Sequence, residues 1–220
     1  MARVAFVLLP TLAAIVAALL AYGPLTATSQ GADIVVISTS EGVEKHLQPF
    51  KQQIGDDYEG YRGHIYRVLT FTNHLLGGND THRAAIEAAL VYHDIGLWTH
   101  SMLGYLEPSV EVAMEKCTGF SDWDRKLIKD IIMWHHKITP FSDEHEDEDY
   151  TAIVDAVRKA DWIDATMGVV TKGISRANIK KTQETIAEAG FHNTLATFVP
   201  RIRGWNVFLG TYELSSIMRI

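Results

Sequence analysis

The chain has 220 residues, enough for one domain with a single buried core and an appended segment, but not for two full domains. Apolar residues make up 47% and charged residues 21%, which excludes wholesale disorder. A formal net charge of −7 with no long basic cluster excludes nucleic acid as a partner, and the single cysteine, Cys117, excludes an intramolecular disulfide and a cysteine-rich zinc site.

Residues 4–22 are apolar apart from Pro10 and Thr11, and as a helix they would run about 28 Å, close to the hydrocarbon thickness of a bilayer. Arg3 precedes the run, and no Lys or Arg follows before Lys45, so the charge bias leaves the N-terminus in the cytoplasm. Residues 1–30 therefore read as a membrane anchor that holds the domain outside the cytoplasm. The alternative is a cleaved signal peptide and a secreted domain, since Ala27, Thr28 and Ser29 supply small residues for a peptidase.

Residues 31–40 read as a linker containing the one β-like run, IVVIS at 34–38, and from 41 to 220 the pattern is helical. EGVEKHLQPFKQQIG predicts a short amphipathic helix ended by Gly55, and GYRGHIYRVLTFTNHLLGG a longer one ended by Gly77 and Gly78. Asn79 or Asp80 caps the helix through THRAAIEAALVYHD, which puts His93 and Asp94 near its C-terminal end. Pro108 sits in a first turn, opening PSVEVAMEKCTG, and Ser121 with Asp124 resembles a capping box ahead of WDRKLIKDIIMWHHKIT. An acidic loop at 142–149 precedes a long helix through AIVDAVRKADWIDATMGVV, and RANIKKTQETIAEAG is a further helix closed by Gly190. The fold class is all-α.

A His–Asp dipeptide alone is weak evidence, because a histidine at a helix end is commonly just hydrogen-bonded there. Its company changes the reading: HIYRV lies one helix earlier, HHK two helices later, and ADWID after that. In order, spacing and helical setting, HIYRV, HDIG, HHK and ADWID resemble the signature of the HD superfamily of metal-dependent phosphohydrolases, over residues from about 41 to about 175. The resemblance implies an HD-domain-like helical bundle behind the N-terminal hydrophobic helix.

Carried over position by position, the resemblance makes His64, His93, Asp94 and Asp161 the ligands of one divalent metal. Two imidazoles and two carboxylates without thiolate suit Mn, Fe, Co or Ni, with Mg and Zn possible. Such an ion lowers the pKa of bound water and polarises a phosphoryl oxygen. Arg67 lies three residues after His64 and Arg158 three before Asp161, so both share the ligand faces and either hold substrate phosphate or form orienting salt bridges. Asp164 shares the Asp161 face and reads as an orienting carboxylate rather than a fifth ligand.

Binuclear relatives use a histidine pair like His135 and His136 for a second metal, together with a histidine at the start of the preceding helix. Here Ser109 stands near that place. Adjacent helical residues also point about 100° apart, so both rings would meet one metal only with difficulty. One metal is therefore expected rather than two, with His135 or His136 beside the substrate or acting as an acid, and Asp94 shared between metal binding and catalysis. Many relatives follow HDIG with a lysine, whereas Leu97 and Trp98 stand here. The resemblance implies hydrolysis of a phosphoester in a nucleotide or another small phosphorylated metabolite. The alternatives are an HD-type oxygenase or hydratase, or a non-catalytic metal-containing ligand-binding domain.

Overall fold

The computed structural model describes residues 32–143, 148–203 and 212–213. The hydrophobic run at 4–22 lies outside the described residues, among which no helix is long and apolar enough to cross a membrane. Among those residues there are helices and no strands. In chain order the helices are α1 (Glu41–Leu47), α2 (Lys51–Ile54), α3 (Tyr58–Leu75), α4 (Arg83–Tyr92), α5 (Gly96–Thr99), α6 (Leu106–Lys116), α7 (Asp122–Trp134), α8 (Glu148–Ala165), α9 (Arg176–Thr185) and α10 (Phe191–Arg203).

The long helix α3 is the axle. It packs most extensively against α8, while α4 lies against α7 and α1, and α9 and α10 cover the remaining side of α3. Leu127, Ile128, Ile131 and Ile132 on α7 recur at the spacing of one helix face and are all buried. Burying each such side chain contributes about 1.5–3 kcal/mol, and together these faces hold the bundle. Gly63 lets the chain before α10 reach α3, since a Cβ there would lie 2.5 Å from the Ala187 carbonyl oxygen.

Local chemistry sets the ends of the helices. Ser40 accepts from the Val43 N–H and Ser121 from the Asp124 N–H, capping α1 and α7, and Ser175 does the same for α9. The single helix expected over 41–55 is divided, because Pro49 has no N–H to donate and the chain tightens into a 3-10 turn at Gln48–Phe50. Neither Asn79 nor Asp80 caps α4: His82 occupies that position without a side-chain bond, and Asn79 instead accepts from the Thr81 N–H.

Residues 32–40, expected to be a linker, are docked on the bundle. Ile34 is 1% exposed. The Ile34 N–H donates to Asn178 Oδ1 at 3.3 Å and Lys181 donates to the Ile34 carbonyl at 3.0 Å, so helical side chains replace a neighbouring strand. The Ile37 N–H donates to Thr70 Oγ1 at 3.1 Å and the Ser40 N–H to the Tyr66 hydroxyl at 3.1 Å.

Candidate metal centre

Six side chains named from the sequence converge. His64 comes from the middle of α3, His93 and Asp94 from the turn after α4, His135 and His136 from the turn after α7, and Asp161 from near the end of α8. The same device ends α4 and α7: His93 Nδ1 donates to the Leu90 carbonyl at 2.6 Å and His135 Nδ1 to the Ile132 carbonyl at 2.7 Å. Each ring thus takes a carbonyl three residues back. The turn carrying Asp94 is held tightly, because the Gly96 N–H donates to Ser109 Oγ at 2.9 Å and a Cβ on Gly96 would lie 2.5 Å from the Tyr105 carbonyl oxygen.

A carbonyl only accepts, so His93 and His135 carry their protons on Nδ1 and turn Nε2 lone pairs into the cluster. His64 follows the same rule, with Nδ1 donating to Asp164 Oδ2 at 2.8 Å. The Nε2 atoms of His64 and His93 are 3.0 Å apart. His64 Nε2 is 3.3 Å from Asp161 Oδ1, and His93 Nε2 is 3.3 Å from Asp94 Oδ2 and 3.8 Å from Asp161 Oδ1. Facing lone pairs with carboxylates around them repel unless a positive charge lies among them.

The other oxygen of Asp94 faces a second pair of rings. Oδ1 lies 3.3 Å from His135 Nε2 and 3.9 Å from His136 Nε2, and His136 Nδ1 is 3.7 Å from Asp161 Oδ2. These contacts are close without being aligned as hydrogen bonds. Asp94 Oδ1, His135 Nε2 and Asp161 Oδ2 are buried with no hydrogen-bond partner. Buried polar atoms left this way are costly, and ligation of a cation is the ordinary remedy.

The charges agree with the geometry. Burial disfavours the charged form of His64, yet Asp161 and Asp164 push its pKa up to about 9. Burial likewise opposes ionisation of Asp94, but His93 and His135 hold its carboxyl well below the usual range. Burial, reinforced by the neighbouring His135, lowers His136 to about 3. The cluster calls for positive charge at its centre, which a proton or a metal ion supplies.

The trios His64, His93, Asp94 and Asp94, His135, His136 each keep their ligand atoms within 4.8 Å of one another, so these groups could hold a metal ion. Imidazole nitrogen and carboxylate oxygen without thiolate fit a divalent first-row ion. The expectation that adjacent histidines would diverge needs correction. α7 stops at Trp134, so His135 and His136 stand in a turn and both reach Asp94. With Asp94 common to the two trios, the cluster offers two donor sets where the sequence reading favoured one metal.

Arg67 and Arg158 are placed differently from a substrate clamp. Arg67 is buried and donates from Nε and a terminal nitrogen to the two oxygens of Asp164 at 2.6 and 2.9 Å, and to the Ala187 carbonyl at 2.8 Å. Asp164 is held at about 2, burial notwithstanding, by His64 and Arg67. The pair therefore orients His64, as expected for Asp164. Arg158, also buried, binds Asp155 at 2.6 Å and the carbonyls of Lys137 and Ile138 at 3.2 Å. Neither guanidinium turns to the ligand cluster, because buried protein acceptors already satisfy both.

Three aromatic neighbours were not identified from the sequence. Tyr61, three residues before His64 on the same helix face, donates to the Val91 carbonyl at 2.8 Å and braces the turn carrying Asp94. Its spacing was the available signal. The Tyr105 hydroxyl is hydrogen-bonded to His136 Nε2. Phe191 stacks on His64 with centroids 4.0 Å apart and planes 13° from parallel. Neither residue has a local sequence relation to its partner. His192 donates from Nε2 to the Asp164 carbonyl at 2.7 Å.

Comparison with known proteins finds no matching family model, curated protein or solved structure.

Proposed function

We propose that the chain is a metal-dependent phosphohydrolase of the HD type, acting on a phosphoester of a nucleotide or small phosphorylated metabolite. The observation that carries this reading is the convergence of three Nε2 lone pairs with the carboxylates of Asp94 and Asp161 in a buried cluster. A divalent ion held by His64, His93, Asp94 and Asp161 would lower the pKa of water and polarise a phosphoryl oxygen.

The chain's own groups supply the remaining steps. Asp164, fixed by Arg67, holds the His64 proton on Nδ1 and keeps Nε2 a donor atom. His136, whose side chain is 22% exposed while His64 and His93 are buried, is the ring best placed to meet a reacting group, and its lowered pKa makes it a proton acceptor there rather than an acid. Tyr105 steadies that ring through its hydroxyl. The hydrophobic run at 4–22 would anchor this chemistry outside the cytoplasm, or direct the domain there before cleavage.

A second reading is hydration of a small neutral substrate such as a nitrile. It is favoured by the engagement of Arg67 and Arg158 with protein acceptors, and by Leu97 and Trp98 where many relatives carry lysine. With both of these described arginines committed to protein acceptors, an uncharged substrate suits the site better than a polyphosphate.

The test is metal analysis of the purified domain, then assays with Mn, Fe, Co, Ni and Zn on phosphomonoesters, cyclic phosphodiesters and short nitriles. Phosphoester turnover that Asp94→Ala abolishes supports the first reading. Nitrile hydration without phosphoester turnover selects the second, and failure to retain any metal rejects both.

A further inference from the structure

Apart from the metal cluster, α1 and the ends of α4 and α6 border an open cavity of about 430 Å³ that contains none of the candidate ligands. Its size falls in the range of small-molecule sites. The residues that shape it are Lys45, His46, Phe50, Tyr92, Lys116 and Phe120.

The polar side chains around it are Lys45, His46, Tyr92 and Lys116. The Tyr92 hydroxyl is 3.0 Å from His46 Nδ1. Burial, with Lys45 beside it, lowers the pKa of His46, and Glu87 opposes the shift. Lys45 has no acidic partner among the described residues, and Lys116 reaches only Glu115, which is exposed. No carboxylate lines the cavity.

The apolar part of the wall is aromatic. Phe50 meets Tyr92 edge to face at 6.0 Å between centroids, and His46 lies 6.1 Å from Phe120. Ring faces and edges of this kind hold a flat apolar body, while ammonium groups hold an anion. A chain with a net charge of −7 has placed two lysines around one aromatic cavity.

We propose that this cavity is a binding site for a small anion carrying a planar ring, with Lys45 and Lys116 on the anionic group and Phe50, Tyr92 and Phe120 on the ring. The cavity shares no residue with the metal cluster, and the proposal does not rest on the reaction assigned there.

The test is titration calorimetry of the intact domain with benzoate, with its neutral analogue benzamide, and with inorganic phosphate. Benzoate binds, while benzamide and phosphate each bind at least about tenfold more weakly, because one lacks the charge and the other the ring. The Lys45→Met, Lys116→Met double variant changes two exposed side chains and weakens benzoate by about tenfold or more. Absence of benzoate binding at millimolar concentration overturns the proposal. So does equal binding of benzamide, or benzoate binding that the double variant leaves unchanged.

Discussion

The Nε2 atoms of His64 and His93 stand 3.0 Å apart, although each ring has already committed its Nδ1 proton to another acceptor. That pairing is stable only around positive charge, and Asp94 and Asp161 strengthen the demand. Adding a divalent ion to metal-stripped protein should therefore raise its melting temperature. An ion at a hundred times its dissociation constant contributes about 2.7 kcal/mol. His93→Ala should remove most of that rise, and a differential scanning trace with an unchanged metal response would show that the ion binds elsewhere.

Asp164 holds His64 from one side and Arg67 from the other. Asp164→Asn keeps the shape but leaves a buried guanidinium without its counter-charge, at a cost of about 3–5 kcal/mol. It also loosens the orientation of the His64 ring, which should weaken metal affinity roughly 10–100-fold. Chemical denaturation and metal titration read the two effects separately. The same argument assigns Arg67→Ala a loss of both stability and metal affinity, rather than of phosphate binding alone.

The candidate ligands were legible through the resemblance carried by HIYRV, HDIG, HHK and ADWID, and helical periodicity then placed each on its helix or helix end. What escaped the sequence depended on contacts across the fold. Continuing a helix through HHK is reasonable by pattern, yet the His135 ring takes the Ile132 carbonyl and the helix stops. Arg67 was open to two roles, and its partner lies 97 residues away on α8. α10 had no expectation of its own, but its first residue, Phe191, stacks on a candidate ligand.

The extended segment before α1 belongs to the folded unit. A chain beginning at Ala32 keeps every contact described for this segment, including the Asn178 donation to the Ala32 carbonyl. A chain beginning at Gly42 loses buried Ile34, worth about 1.5–3 kcal/mol, and the Ser40 cap, worth about 1 kcal/mol. Urea midpoints of the two chains should differ accordingly, and equal midpoints would mean that residues 32–41 contribute nothing.

Asp57 ties three parts of the chain together, accepting from the Trp98 indole at 3.0 Å, Thr194 at 2.9 Å and Arg201 at 2.8 Å. Burial alone would raise its pKa, but these donors lower it below the ordinary carboxylate value. A group depressed in the folded state stabilises above its unfolded pKa, about 3.9, and loses that contribution as pH falls through the folded value. The stability gap between the native chain and Asp57→Asn should be constant from about pH 5 to 7 and close progressively below about pH 4. A gap that widens on acidification would reverse the sign and contradict the assignment.

His136 separates the two donor sets by experiment. Its ring is hydrogen-bonded to Tyr105 through Nε2, while Nδ1 is 3.7 Å from Asp161 Oδ2, outside ordinary hydrogen-bond length. If the ring serves proton exchange, His136→Ala should leave the metal content unchanged and lower turnover by about 10²-fold or more, the usual contribution of a positioned acid or base. His135→Ala removes a buried ring whose Nε2 faces Asp94 Oδ1 at 3.3 Å, and should weaken binding of any ion held on that side. Elemental analysis of both variants gives the decision. An ion lost from His136→Ala while another remains assigns that ring to a second metal bridged through Asp94, and removes the proton-exchange role from it.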